Sequence, residues 1–269
     1  MQIPHTIVPK GRARARTISM VRCNRDPSVH PSELDVEASS RVALVRVRIK
    51  VLLAGLTLLR WQDDAVRLCM FTPENQKLER GWPGRIDGDT VVQLAAQTLQ
   101  AFFTSGSSAR EHAEYSLEGV VLRAPVLEPP TVRLFDDPTS FSFANPAAIR
   151  SPGAFITRPE GRLDVATRLA AVVGLDGTIG GWTGLAEWRA PELEPPKDRD
   201  FALLLGPVVE TELEDGFDWE AARALAELNT RLRPGDLLAG PVLDVREDVP
   251  GGPIELLVGT LGRLEATVG

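Results

Sequence analysis

Few side chains in this sequence have both the type and the spacing that chemistry needs. Asp136–Asp137 is an adjacent carboxylate pair of the kind that can hold a divalent ion, but it precedes Pro138 and reads first as turn chemistry. Gly180–Gly181 is half of a glycine-rich loop and reads more simply as a turn, while Glu210, Glu212, Glu214 and Asp215 read as a solvated loop. There is no G-x-S-x-G, no P-loop, no H-E-x-x-H and no G-x-G-x-x-G. The histidines are His5, His30 and His112, so a histidine-rich zinc site in the C-terminal half is excluded. Cys23 and Cys69 form no C-x-x-C, which points to a reducing cytoplasm. One residue asks for an explanation. In "LDVATRLAAVVG", Leu163 to Gly174, Arg168 is carried to the edge of a bare apolar run that should be a buried strand.

The elements that must position these residues come from a chain of 269 residues, 43% hydrophobic, enough for one large domain or two unequal ones. A net charge of −7 argues against nucleic acid as a partner, since phosphate binding needs a concentrated basic face. The apolar run Val51 to Leu59 is shorter than the roughly 20 residues a membrane helix takes, so no membrane partner is expected. Residues 1–65 read as a poorly ordered basic extension with one strand candidate, "VRVRIKV" at Val45 to Val51; they are an expected upstream addition to a chain beginning near Val66.

From Val66 the texture changes. "VRLCMF" predicts a strand, and Asp89 a helix cap over Thr90 to Phe103, with Val92, Leu94, Ala95, Leu99 and Phe102 on one face. "GVVLRAPV", Gly119 to Val126, predicts a second strand. Further strands are expected at Leu169–Val173, Leu203–Val209, Leu237–Leu238, Ile254–Val258 and Leu264–Val268. The first, second and fourth of these should be covered on both faces. Asp218 should cap one more helix with Ala221, Leu225 and Leu228 inward, stopped by Pro234–Gly235. The expected fold class is α+β: a small N-terminal α+β subdomain over 66–123 and a β-rich domain over 124–269.

Seven motifs then occur in order: "APVLEPPTVRLF", "FANPAAIRSPGAFITRPEG", "LDVATRLAAVVG", "GWTGLAEWRA", "PPKDRDFALLLGPVV", "LRPGDLLAGP" and "ELLVGTLGRLEATV". Together, from about Ala124 to Val268, they resemble the fumarylacetoacetate hydrolase family. The resemblance implies a β-rich roll, a homodimer, and Mg²⁺, Mn²⁺ or Ca²⁺ held by carboxylates for work on β-dicarbonyl acids. The ion would stabilise the enolate formed when a C–C bond breaks. The two family glutamates of the strand fall on Ala166 and Arg168, the ligand aspartate on Leu134, and the last ligand on Glu187, with Trp188 kept. The family's basic residue is similar to Lys197, its threonine after P-G-D is replaced by Pro241, and its histidine is missing because the segment is shortened to "DDPTS".

One carboxylate of four cannot hold Mg²⁺, which dehydrates reluctantly, and a guanidinium brings a fixed positive charge in its place. The leading expectation is therefore a relative without metal chemistry and without a cofactor, a pseudoenzyme with a binding or scaffolding role. The alternatives are an active enzyme in which Lys197 and Arg168 hold a small anionic oxo-acid, and an orthodox Mg²⁺ or Mn²⁺ enzyme with ligands moved to Asp136, Asp137 or Asp164. In the leading case Arg168 and Glu187 should pair in the vestigial metal pocket, with Lys197 competing for Glu187.

Overall fold

The computed structural model describes residues 65–269 apart from Lys77 and Glu79, so the expectations for residues 1–64 lie outside the described residues. The described chain is mostly β-sheet with few helices. Its strands are β1 (Arg67–Pro73), β2 (Trp82–Asp87), β3 (Thr90–Leu94), β4 (Glu111–Ser116), β5 (Val120–Arg123), β6 (Val132–Asp137), β7 (Ser140–Ala144) and β8 (Ile149–Arg150). They continue with β9 (Ala154–Ile156), β10 (Asp164–Val173), β11 (Ile179–Arg189), β12 (Leu203–Leu205), β13 (Val208–Glu210), β14 (Leu237–Arg246), β15 (Gly252–Leu257) and β16 (Arg263–Val268). The α-helices are α1 (Leu99–Thr104) and α2 (Trp219–Glu227).

Most strands join one large sheet in the order β4-β3-β2-β1-β13-β11-β10-β14-β6-β7, with β5, β8 and β12 on its branches; β15-β16-β9 form a small second sheet. Strand β10 is the spine. It is buried along its whole length, antiparallel to β11 on one side and to β14 on the other. Its odd residues Val165, Leu169, Ala171 and Val173 enter one core with Trp188 and Trp219, and its even residues Ala170 and Val172 enter another with Leu185 and Leu203. This two-sided cover is why Leu169–Val173 reads as a bare apolar run rather than an alternating one. Within residues 66–123, β1 pairs with β13, and Leu68, Met70, Phe102 and Phe103 share a core with Val132, Leu134 and Ala170. Cys69 on β1 is fully buried, and that burial pushes its thiol pKa up to about 12.

Four expectations need correction. Thr90 to Phe103 is not one helix. The β-branched Thr90, Val91 and Val92 pair with β2 through a turn at Gly88, whose φ is +58°, and α1 starts later, capped by Thr98 rather than Asp89. Leu203–Val209 is two short strands, because Gly206–Pro207 interrupts it and proline supplies no ladder N–H. Ile254–Val258 is covered on one face only, with Leu256 buried and Leu257 60% exposed. Helix α2 is capped by Asp218 as its sequence suggests, but it buries Trp219, Ala222 and Ala226 and leaves Leu228 exposed. Trp219 sets that rotation: it meets Phe217 and Trp182 edge to face and donates its ring N–H to Asp215.

Candidate functional site

The register of β10 and β11 places the site. Ala166 is opposite Glu187 and Arg168 opposite Leu185, so Ala166, Arg168 and Glu187 share one face of the sheet. On the other side, β14 bulges around Arg168: Gly240 and Pro241 together oppose Leu169, and Leu243 is an extra residue before Asp244. The parallel ladder of β6 with β14 ends at Leu134 and Ala239, and β6 bulges at Asp136. At those irregularities the carbonyls of Phe135 and Gly240 both accept from Arg168.

Arg168 is thereby enclosed. Its side chain is 3% exposed and Glu187 is fully buried. The Nε–H donates to Glu187 Oε2 at 3.1 Å; Nη1 donates to Gly240 O at 2.9 Å, Phe135 O at 3.0 Å and Asp136 Oδ1 at 3.3 Å; Nη2 donates to Asp136 Oδ1 at 3.2 Å. Asp136 itself is 82% exposed, so it closes the guanidinium off from the solvent side. A lone charge in such a place would carry a steep desolvation cost, and the two carboxylates and two carbonyls offset it.

Glu187 serves more than one arginine. Its Oε2 also accepts from Arg189 Nη2 at 2.6 Å, and Arg199 Nη1 stands 3.9 Å from Oε1. Among the described residues Oε1 has no hydrogen-bond partner, nor have the buried Arg189 Nε, Trp188 Nε1, Thr167 Oγ1 and Asp198 Oδ1. Arg189 and Arg199 were missed in the sequence reading. Arg189 had a signal, because it lies two residues after Glu187 and hence on the same face of the strand.

The remaining candidates lie elsewhere. Lys197 is 73% exposed and paired with Asp200 at 2.9 Å, so its expected competition for Glu187 does not occur. Asp137 accepts from the Thr139 hydroxyl and from the Thr139 N–H, which lowers its pKa and commits it to a turn. Asp164 is bound to Arg162 at 3.0 Å and accepts the Asp248 N–H at 3.0 Å. Leu134 and Ala166 are buried core residues. Asp136 alone of the three substitute carboxylates reaches the site, and it does so as a partner of Arg168. A divalent ion does not fit this set of side chains: the place between Glu187 and Asp136 is taken by a cation, and among the described residues no three His, Cys, Asp or Glu converge on one point.

With this geometry in view, comparison with known proteins is informative about the fold. No family model and no curated protein sequence matches the chain. Solved structures do match. A maleylpyruvate hydrolase from Sphingobium sp. SYK-6 is 17% identical, covers 75% of this chain and 98% of its own, and superposes with a TM-score of 0.58. The same hydrolase is also known in complex with manganese(II) ion and pyruvate. A 5-carboxymethyl-2-hydroxymuconate delta-isomerase from Mycobacterium smegmatis is 17% identical, covers 75% and 98%, and has a TM-score of 0.60. A 2-keto-3-deoxy-D-arabinonate dehydratase is 14% identical, with the same coverage and a TM-score of 0.58. The fold is thus fumarylacetoacetate hydrolase-like.

Proposed function

We propose that this chain is a fumarylacetoacetate hydrolase-like protein with a binding or scaffolding role, without the metal-dependent cleavage of C–C bonds. One observation carries the reading: Arg168 is buried, engaged through all three of its nitrogens, and seated between Glu187 and Asp136. A guanidinium held this way cannot share its place with a divalent cation, because the two like charges would lie a few ångströms apart in a medium that screens them poorly. It also has few N–H donors left for a substrate, which weakens the alternative of Arg168 as an anion-holding catalytic residue. Lys197, the other member of that alternative, points to Asp200.

The reading extends to a small anionic oxo-acid as ligand, a homodimeric assembly and a cytoplasmic setting. Arg189 and Arg199 at the rim of Glu187 are the groups that would meet a carboxylate, since Arg199 is half exposed and Arg189 keeps a partly open flank. No helix among the described residues is long and apolar enough to cross a membrane.

The test is to incubate the purified protein with a panel of acylpyruvates and oxaloacetate, with and without Mn²⁺ or Mg²⁺, and to follow product formation and thermal stability together. The expected result is no turnover above the uncatalysed rate, with a rise in Tm for those acids that bind. Metal-stimulated release of pyruvate would overturn it.

A further inference from the structure

The large sheet ends in two strands that differ in kind. Strand β4 carries Glu111 and Glu114, charges that blunt an edge against further pairing. Strand β7 reads SFSFA, with no charge and no proline, and among the described residues no strand pairs with its outer side. Arg133 lies opposite Phe143 and Phe135 opposite Phe141, so both rings of β7 stand on one face, while Ser140, Ser142 and Ala144 turn to the other. Phe143 is 66% exposed, yet it is held: it meets Phe141 edge to face at 5.4 Å, and the buried Arg133 guanidinium lies over both rings. A large apolar side chain fixed in place but left in water is a ready anchor, because little of its ordering cost remains to be met on association.

We propose that β7 pairs antiparallel with β7 of a second copy, about a two-fold axis through Ser142, joining the two sheets edge to edge. This rests on the homodimeric assembly proposed above and names its surface. The register follows from geometry. Residues opposite each other in an antiparallel pair share one hydrogen-bonding character, so a strand that pairs with its own copy must centre on a residue rather than between two. Centring on Ser142 overlaps the whole strand. Ser142 then faces the partner's Ser142, and Phe141 faces the partner's Phe143, which gives a row of four rings on one face. The sequence selects this occupant because Ser-Phe-Ser-Phe-Ala is a palindrome in kind: each ring meets a ring, each small residue a small one, and no like charges meet. A five-residue edge is a small interface, so the dimer belongs to the weak class.

The experiment follows mass by analytical ultracentrifugation, from about 1 μM to about 1 mM protein, for wild type, Ser142→Lys, Ser142→Glu and a 1:1 mixture of the two variants. Wild type should dimerise. Each variant alone should raise the dimer Kd about tenfold or more, because like charges meet on the axis, and the mixture should dimerise again. Ser142→Cys in a Cys23→Ser background should oxidise to a covalent dimer, since facing residues lie about 4.5–5.5 Å apart at Cα, within disulfide reach. Cys69 does not compete, being fully buried with its thiol pushed up to about 12. A dimer that both charge variants keep, and that Ser142→Cys does not cross-link, would overturn the inference and leave the homodimer standing on another surface. A wild type that stays monomeric throughout would overturn the homodimeric assembly and the inference with it.

Discussion

Two buried arginines serve the same short ladder, one at each end. Strands β6 and β14 pair only over Val132–Leu134 and Leu237–Ala239. At the start, Arg133 reaches Asp236 at 3.8 Å, bonds the Thr131 hydroxyl, and lies over the rings of Phe141 and Phe143, 5.6 and 5.5 Å from its guanidinium carbon. At the end, Arg168 faces two carbonyls and two carboxylates. The first environment would suit an apolar side chain nearly as well, since its rings give packing and its acid has other donors in Thr131 and the Arg233 N–H. The second suits a cation and little else. The difference separates an arginine that staples a sheet from one that is held on all sides by hard oxygen acceptors.

This comparison can be broken by a short series of substitutions. Glu187→Ala should have the largest effect, about 3–5 kcal/mol lost in urea unfolding, because it removes the buried carboxylate and leaves the exposed Asp136 as the one ionic partner of Arg168. Arg133→Met should cost less, about 1–3 kcal/mol, since methionine keeps contact with Phe141 and Phe143 and Asp236 keeps its two donors. Asp136→Asn should cost about 0–1 kcal/mol, because that end of the ion pair is open to water, and Lys197→Ala should be no more harmful. An Arg133→Met loss equal to that of Glu187→Ala would erase the distinction between the two arginines.

The meeting of Arg168 and Glu187 was legible in the sequence through the family resemblance, which points both positions at one ion; the β10–β11 register puts them on one face. Their strands are also the most strongly patterned in the chain, long and covered on both sides. The rest of the cage was not legible. Carbonyls of Phe135 and Gly240 have no residue-type signature, and they become available only through bulges that depend on how β6, β10 and β14 pair at long range. Asp136 read as turn chemistry or a spare ligand, because nothing local ties it to a residue 32 positions on. Lys197 misled for the opposite reason: a motif placed it near the site in sequence, while Asp200 three residues away captures it in space. The false helix at Thr90–Phe103 arose because a strand, a bend and a short helix together imitate one helical face. The β-branched Thr90, Val91 and Val92 were the signal against it.

The most direct test of the claim that a guanidinium has taken the place of an ion is a Mn²⁺ titration of the wild-type protein followed by electron paramagnetic resonance. The free-ion signal should rise in proportion to added Mn²⁺, with no stoichiometric uptake, and a Glu187→Gln control should behave the same way. Uptake of one Mn²⁺ per chain that Glu187→Gln abolishes would contradict the account.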